Sequence, residues 1–126
     1  MDGDSAGSLM VVERTLLVQL NPALTDAGVR RLRAAVGSTL EHRATRGLVI
    51  DLAAVEAMDS YITRCIRDLA ISARLMGVPT VVCGVQPAVA DTLVEMGLDL
   101  GDVPTTNGLD AALRLLRAGK RRRGEG

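Results

Sequence analysis

The sequence contains almost no aromatic residues: Phe and Trp are absent, and Tyr61 is the single tyrosine. Val, Leu, Ile, Ala and Met must therefore fill the core, which fits small helices packed on a compact sheet. The same absence argues against a nucleic-acid or sugar site lined by aromatic rings. The length of 126 residues indicates one domain, large enough to bury roughly two-thirds of the surface of its unfolded chain.

Groups that could perform catalysis are also scarce. His42 is the one histidine, and its place near the exposed end of a predicted helix fits a surface residue better than a general base. Cys65 and Cys83 lie in apolar surroundings, far apart in the sequence, as free thiols of a reducing compartment do. The sequence lacks phosphate-binding glycine loops, the G-x-S-x-G elbow and the ligand spacing of a metal site. We therefore expect no catalytic residue, no cofactor, no metal and no enzyme activity.

Signals for export or membrane insertion are absent as well. The acidic, small first residues do not resemble a signal peptide, and no apolar run is long enough to cross a bilayer, so we predict a cytoplasmic protein. The formal net charge is zero, but residues 120–126 carry four basic groups and one acid. Their pattern favours a solvated tail over a nucleic-acid or membrane patch. We predict a disordered extension at 1–8, a domain at 9–118 and a flexible basic tail at 119–126.

Turn residues divide the chain into alternating strands and helices. Residues 9–20 are rich in β-branched side chains and form either one strand or two strands folded at Glu13 and Arg14. Short apolar runs predict buried parallel strands at 48–52 and 78–83, with a short strand near Val103. Apolar spacing predicts helices at 25–44, from Ser60 to Gly77, from Pro87 to Gly97, and at 107–118. This order predicts an α/β fold with a small mixed, mostly parallel sheet and about four helices.

The sequence also predicts roles for several individual residues. Thr25 is placed to cap the first helix, and Thr105 and Thr106 to cap the last. Gly77 is expected to end the second helix by adopting the left-handed backbone conformation. Four of the five methionines are expected to fill gaps in the core rather than to form a recognition surface; they are Met10, Met58, Met76 and Met96.

The stretch A-M-D-S-Y-I puts an acid and a hydroxyl, Asp59 and Ser60, where an amphipathic helix begins. In one interpretation either side chain caps the helix, which would stabilise it by about 1 kcal/mol. In another, Ser60 is modified, because a loop after a parallel strand lies at the edge of the sheet where ligands and partners bind. A helix start also presents unpaired N–H groups to an anion, so a phosphate there would change the surface and leave the fold intact.

The segment G-V-Q-P, residues 84–87, follows the next predicted strand and leaves a similar choice open. It is either a plain turn from strand to helix, or Gln86 and Pro87 touch a partner beside Ser60. Tyr61 is expected to be a contact residue or a lid on the core rather than a phosphorylation target.

Together G-L-V-I-D-L, M-D-S-Y-I, A-R-L-M-G-V and G-V-Q-P-A-V-A-D-T-L-V-E-M-G-L resemble STAS domains, the fold of bacterial anti-sigma factor antagonists. Within that family they are most similar to the small single-domain proteins of the stressosome. The resemblance implies that Ser60 is phosphorylated and that Asp59 lies beside it at the edge that faces the kinase. We predict that the residues at this edge bind partners; they are Asp59, Ser60, Tyr61, Gln86 and Pro87. The resemblance implies no cofactor-binding residues.

The partners that the resemblance implies are a serine/threonine switch kinase of the histidine-kinase-like ATPase superfamily, larger STAS paralogues and a phosphatase. The chain would be a scaffold in a homo- or hetero-oligomer that holds the kinase and releases it when Ser60 is phosphorylated. An alternative is a stand-alone anti-sigma factor antagonist that binds an anti-sigma kinase when unphosphorylated. A third is a small ligand-binding or catalytic protein that uses the same edge through Ser60 or Cys83.

Overall fold

The structure, a computed structural model, describes residues 6–42, 44–95 and 103–125. After two successive strands, helices and strands alternate along these residues as the sequence predicts, which gives five strands and four helices. The strands are β1 (Gly7–Val12), β2 (Thr15–Leu20), β3 (Gly47–Asp51), β4 (Thr80–Cys83) and β5 (Thr105–Thr106). The helices are α1 (Asp26–His42), α2 (Ser60–Leu75), α3 (Pro87–Glu95) and α4 (Leu109–Glu125).

The strands form one mixed sheet in the order β1-β2-β3-β4-β5. Only the pairing of β1 with β2 is antiparallel; the pairs from β2 through β5 are parallel. Of the two alternatives for residues 9–20, the two-strand hairpin is therefore correct. Glu13 and Arg14 form its turn with φ of 50° and 68°. Two successive left-handed residues match the twist of a hairpin, although side chains usually disfavour that conformation.

Helices cover both faces of the sheet, which explains why β3 is an unbroken apolar run. Leu48 and Ile50 point into the larger core beneath α1, α2 and α3, whereas Val49 points into a smaller core beneath α4. All three side chains are at most 1% exposed. Alternate side chains of a strand face opposite ways, so a strand covered on both sides needs apolar residues at every position.

The apolar spacing that predicts α1 and α4 coincides with their buried faces. The stripe of α1 is buried against the larger core through Val29, Leu32, Val36 and Leu40. On α4, Ala112 is buried and its neighbours pack on the smaller core; they are Leu109, Leu113 and Leu116. Thr25 caps α1, since its hydroxyl accepts the Gly28 N–H at 3.0 Å.

The methionine prediction is correct for one residue and wrong for two. Met58 is 8% exposed and belongs to the larger core. Met10 on the edge strand is 60% exposed, and Met76 at the end of α2 is 48% exposed. Exposure at these two positions depends on what packs against them in the folded protein, which apolar spacing within one segment does not reveal. Met96 lies outside the described residues.

Both ends of the fold differ from the predicted boundaries. Ala6 is 3% exposed and β1 starts at Gly7, so residues 6–8 are part of the folded body and not of a disordered extension. The last helix runs to Glu125 and includes residues that the sequence assigned to a flexible tail. Thr105 and Thr106 form β5 instead of capping α4. Pairing with β4, which local sequence does not show, decides their conformation.

Candidate functional site

The candidate site begins with the cap of α2, at the carboxyl edge of the parallel strands. Asp59 is the N-cap: its backbone is extended, and its carboxylate accepts the Ile62 N–H at 2.8 Å. Its carbonyl oxygen accepts the Thr63 N–H at 3.0 Å and the Thr63 hydroxyl at 2.8 Å. Asp59 therefore stabilises the first turn of the helix from both its side chain and its backbone.

Ser60 is the first residue of α2, and it is exposed. In the described part of the chain, no group hydrogen-bonds to its hydroxyl. The hydrogen bond that caps the helix comes from Asp59 instead. The N–H groups of Ser60 and Tyr61 belong to the first turn, which has no intrahelical acceptors. The two interpretations thus point to different residues: Asp59 caps the helix, and Ser60 is exposed beside it and leaves modification open.

The charges around Ser60 are mixed. Asp59 places a carboxylate on one side of it, while Arg64 lies four residues further along α2, on the same helix face, and is exposed. Tyr61 is 39% exposed and its phenolic oxygen accepts a hydrogen bond from Arg30 of α1 at 3.4 Å. That hydrogen bond raises the pKa of the Arg30 guanidinium above its usual value. A dianion on Ser60 would meet one like charge, the positive end of the helix and one exposed guanidinium on its own helix.

The neighbouring loop, which joins β4 to α3 at residues 84–86, is packed against the loop after β3. Gln86 donates from its side-chain amide to the Ala53 carbonyl at 2.6 Å. Gly84 has a φ of 73°, and a Cβ added there would lie 2.9 Å from the Ala53 backbone nitrogen. The segment G-V-Q-P therefore has a structural role, because it packs the loop after β4 against the loop after β3. Pro87 opens α3 and is exposed.

Asp51 and Cys83 lie at the ends of β3 and β4, beneath these loops. The Asp51 carboxylate accepts the Ala53 N–H at 2.9 Å, so both polar groups of the Ala53 backbone are engaged. Cys83 is fully buried. Burial raises the pKa of the Cys83 thiol to about 11, and the nearby Asp51 carboxylate adds to the rise. A thiol that stays protonated at neutral pH is a poor nucleophile.

Sequence reasoning missed three residues that shape this edge: Arg30, Arg64 and Ala53. The four-residue spacing from Ser60 was a signal for Arg64. Nothing in the sequence pointed to Arg30 or Ala53, whose contacts span 31 and 33 residues. Of the five predicted site residues, four are exposed and Gln86 is half-buried; they are Asp59, Ser60, Tyr61, Gln86 and Pro87. Their role in binding partners stays a prediction.

A comparison with protein-family models finds a match to the STAS domain over residues 8–112. The chain belongs to the STAS domain family. Solved structures agree: a serine-to-glutamate variant of RsbS from Moorella thermoacetica is 33% identical, with a TM-score of 0.83. The match covers 93% of this chain and 99% of that one. A chain from a structure of the stressosome, described as a signal integration and transduction hub, is 35% identical with a TM-score of 0.81, over 90% of this chain and 99% of that chain.

Curated relatives include the RsbT co-antagonist proteins RsbRD and RsbRB of Bacillus subtilis. Each is 30% identical, over 95 and 97 residues, or 73% and 75% of this chain. The chain spans about a third of their length, 34% and 35%. The anti-sigma factor antagonist SpoIIAA, 18% identical with a TM-score of 0.66 over 94% of this chain and 99% of that chain, shares the fold. The predicted fold and family are thus confirmed.

No helix in the described ranges has both the length and the apolar character needed to cross a bilayer. Within the same ranges, His, Cys, Asp and Glu side chains do not gather into a group that could hold a metal ion.

Proposed function

We propose that this chain is a non-enzymatic regulatory scaffold of a stressosome-like complex. In its unphosphorylated form it holds a serine/threonine switch kinase of the histidine-kinase-like ATPase superfamily, together with larger STAS paralogues. The kinase transfers the γ-phosphoryl group of ATP to the Ser60 oxygen, the hydroxyl proton leaves and ADP is released. The phosphorylated edge then no longer holds the kinase, and a phosphatase restores the hydroxyl.

One observation carries the proposal: Ser60 is exposed at a helix start, and no residue that the structure describes hydrogen-bonds to its hydroxyl. Asp59 caps the helix, so modification of Ser60 removes no contact that the fold needs. The similarity to RsbS and to a stressosome chain over nearly their whole length supports the same role. The RsbT co-antagonist relatives support paralogous STAS chains as partners.

The switch is electrostatic. A phosphate adds about −1.5 to −2 charges and three acceptor oxygens at neutral pH. The positive end of the α2 dipole stabilises this negative charge by about 0.3–1 kcal/mol at an exposed site. A partner that fits the neutral hydroxyl and the Asp59 carboxylate would instead face a second anion beside the first. The body of the protein stays folded while its affinity for the kinase falls.

Mass spectrometry after incubation with the cognate kinase and ATP tests the modified residue. We expect one phosphate on the wild type and none on Ser60→Ala. Ser72→Ala is the matched control, because Ser72 is also exposed and lies on the same helix. Phosphate that persists on Ser60→Ala, or is lost from Ser72→Ala, contradicts the assignment of the site.

Retention of the kinase tests the switch itself. We expect Ser60→Ala to retain the kinase like the unphosphorylated wild type, and Ser60→Asp to retain it less. The aspartate variant should fall between the hydroxyl and phosphate forms, since a carboxylate brings one charge and lacks the third oxygen. Pull-down of the kinase by each form measures the order. Equal retention by all forms would show that Ser60 is not a switch.

The alternative, a stand-alone anti-sigma factor antagonist, shares the modified serine and differs in assembly. Co-purification with a larger STAS paralogue in a megadalton complex supports the scaffold. A complex that contains only this chain and one kinase supports the antagonist.

A further inference from the structure

A second candidate site lies at the opposite end of the sheet from Ser60. There a cavity of about 490 Å³ opens between the end of α2, the starts of the parallel strands and α4. Its polar side chains are Thr45, Arg46, Arg74 and Thr80, and apolar side chains that include Val81, Leu115 and Leu116 complete the wall. The sixteen residues of α2 separate this cavity from Ser60, which corresponds to about 24 Å of helix.

The cavity has the size and character of a small-molecule site. Ligand pockets of about 300–1,000 Å³ are mostly apolar and carry a few polar groups that orient the ligand. Here Leu116 packs on the smaller core, while Leu115 is 42% exposed and extends the apolar wall outwards. An apolar group in the cavity would therefore be removed from water on several sides.

The charged side chains that line the cavity in the described chain are both basic. Arg46 and Arg74 line it and are exposed, and no acidic residue of the described chain lines it with them. Within the described ranges, neither guanidinium forms an ion pair with a carboxylate. Arginine donates in a planar fork that matches carboxylate, sulfonate and phosphate groups. Two such groups beside an apolar wall favour a ligand with an anionic head.

Thr45 supplies a further polar group. Its hydroxyl oxygen is buried and has no hydrogen-bond partner among the residues that the structure describes. A buried hydroxyl without a partner is unfavourable, because it has given up its hydrogen bonds to water. Rotation about a single side-chain bond would let it bond to a polar group held in the cavity.

We propose that this cavity binds a small organic anion, with its apolar body against Val81 and Leu115 and its anionic head between Arg46 and Arg74. This site goes beyond the proposed role of Ser60 and does not depend on it. It would give the scaffold a place to sense a metabolite at the end of the domain away from the kinase.

Anilinonaphthalene sulfonate is a suitable probe, because it joins an apolar ring system to one anionic group and fluoresces when it leaves water. We expect saturable binding of one molecule to the full chain. The double variant Arg46→Gln, Arg74→Gln should weaken it by at least roughly 5-fold, through the loss of charge-assisted hydrogen bonds. Arg33→Gln removes an exposed charge from α1 and serves as the matched control.

Filling the cavity provides an independent test. Gly119 lines it, and a Cβ added at Gly119 meets nothing within 4 Å, so Gly119→Phe is compatible with the helix. It should reduce binding at least about 10-fold by occupying the apolar space. Gly37→Phe is the matched control, because Gly37 is also a helical glycine with open space around it, but on α1.

Backbone amide resonances of the labelled protein locate the probe. Those of Gly77, Thr80 and Gly119 should shift on titration, while those of Ser60 and Tyr61 should not. The proposal is overturned if the wild type shows no saturable binding, if Gly119→Phe binds like the wild type, or if the shifts cluster elsewhere, as around exposed Met10. The phosphorylation test of Ser60 is unaffected by any of these outcomes.

Discussion

The two loops that leave β3 and β4 lie at one edge of the sheet, yet they use their polar residues in different ways. In the loop after β3, Asp59 bonds to its own helix and leaves Ser60 exposed. In the loop after β4, Gln86 reaches across to Ala53, and Gly84 allows the close approach of the two backbones. The loop after β3 presents Ser60 to solvent, and the loop after β4 packs against that first loop at Ala53. A shared edge therefore does not imply a shared role.

The largest loss of stability should come from adding a side chain at Gly84. Gly84→Ala places a methyl group 2.9 Å from the Ala53 nitrogen and forces a side chain into a φ of 73°. We expect the free energy of unfolding to fall by roughly 2–4 kcal/mol, from strain of the backbone and overpacking together. Urea denaturation measures it.

Gly77→Ala is the matched control for this change. Its φ is 82°, but a Cβ there meets nothing within 4 Å. It should cost only about 1 kcal/mol, since the conformational penalty acts without the clash. If both variants lose the same stability, the two loops are not held together by close packing at Gly84.

Removing the cap should have a smaller effect. Asp59→Ala leaves the Ile62 N–H without its acceptor, so we expect a loss of about 1 kcal/mol in the free energy of unfolding. Ser60→Ala removes an exposed hydroxyl with no partner among the described residues and should change stability by less than about 0.5 kcal/mol. Denaturation of both variants separates the two roles. A larger loss for Ser60→Ala would assign the capping to the serine.

Gln86→Ala tests the bond across the loops. The Ala53 carbonyl loses the side-chain donor at 2.6 Å, and we expect a cost of about 0.5–1.5 kcal/mol. Hydrogen exchange of the amides in the loop after β3 should also become faster. An unchanged stability, together with a loss of kinase binding, would make Gln86 a contact residue, which is one of the two alternatives that the sequence leaves open.

The last effect should be absent near neutral pH and appear only at high pH. The folded protein holds the Cys83 pKa at about 11, above the ordinary value of 9.0, so the unfolded chain releases this proton first. The contribution of the neutral thiol is present below pH 9, and it is lost as pH rises from about 9 to 11. Denaturation across this range should show a shallower fall for Cys83→Ser, whose hydroxyl does not titrate. Identical pH profiles would contradict this account.

Much of the fold could be predicted from sequence because its signals are local. The continuous apolar run of β3, the stripe of α1 and the Thr25 cap each depend on residues close together in the chain, and each prediction is confirmed. The candidate site was partly predictable for the same reason. Ser60 follows a parallel strand and opens a helix, which places it at the carboxyl edge before any contact is known.

Other features depend on contacts between distant segments. Met10 is exposed on the outer face of the edge strand, whereas Leu9 beside it packs against the larger core, and Thr105 and Thr106 are extended because β4 pairs with them. Whether Asp59 or Ser60 caps α2 is a matter of backbone geometry at the loop. Sequence alone left both possible.

The sequence by itself determined the class of fold, the family and the place of Ser60, since the order of apolar runs and turn residues encodes them locally. The tertiary structure alone decided which polar residues are engaged inside the molecule and which face solvent. Gln86 bonds to a carbonyl 33 residues away, and Arg30 reaches Tyr61 from another helix. Such contacts form only when the strands pair and bring distant loops to one edge, so no local pattern records them.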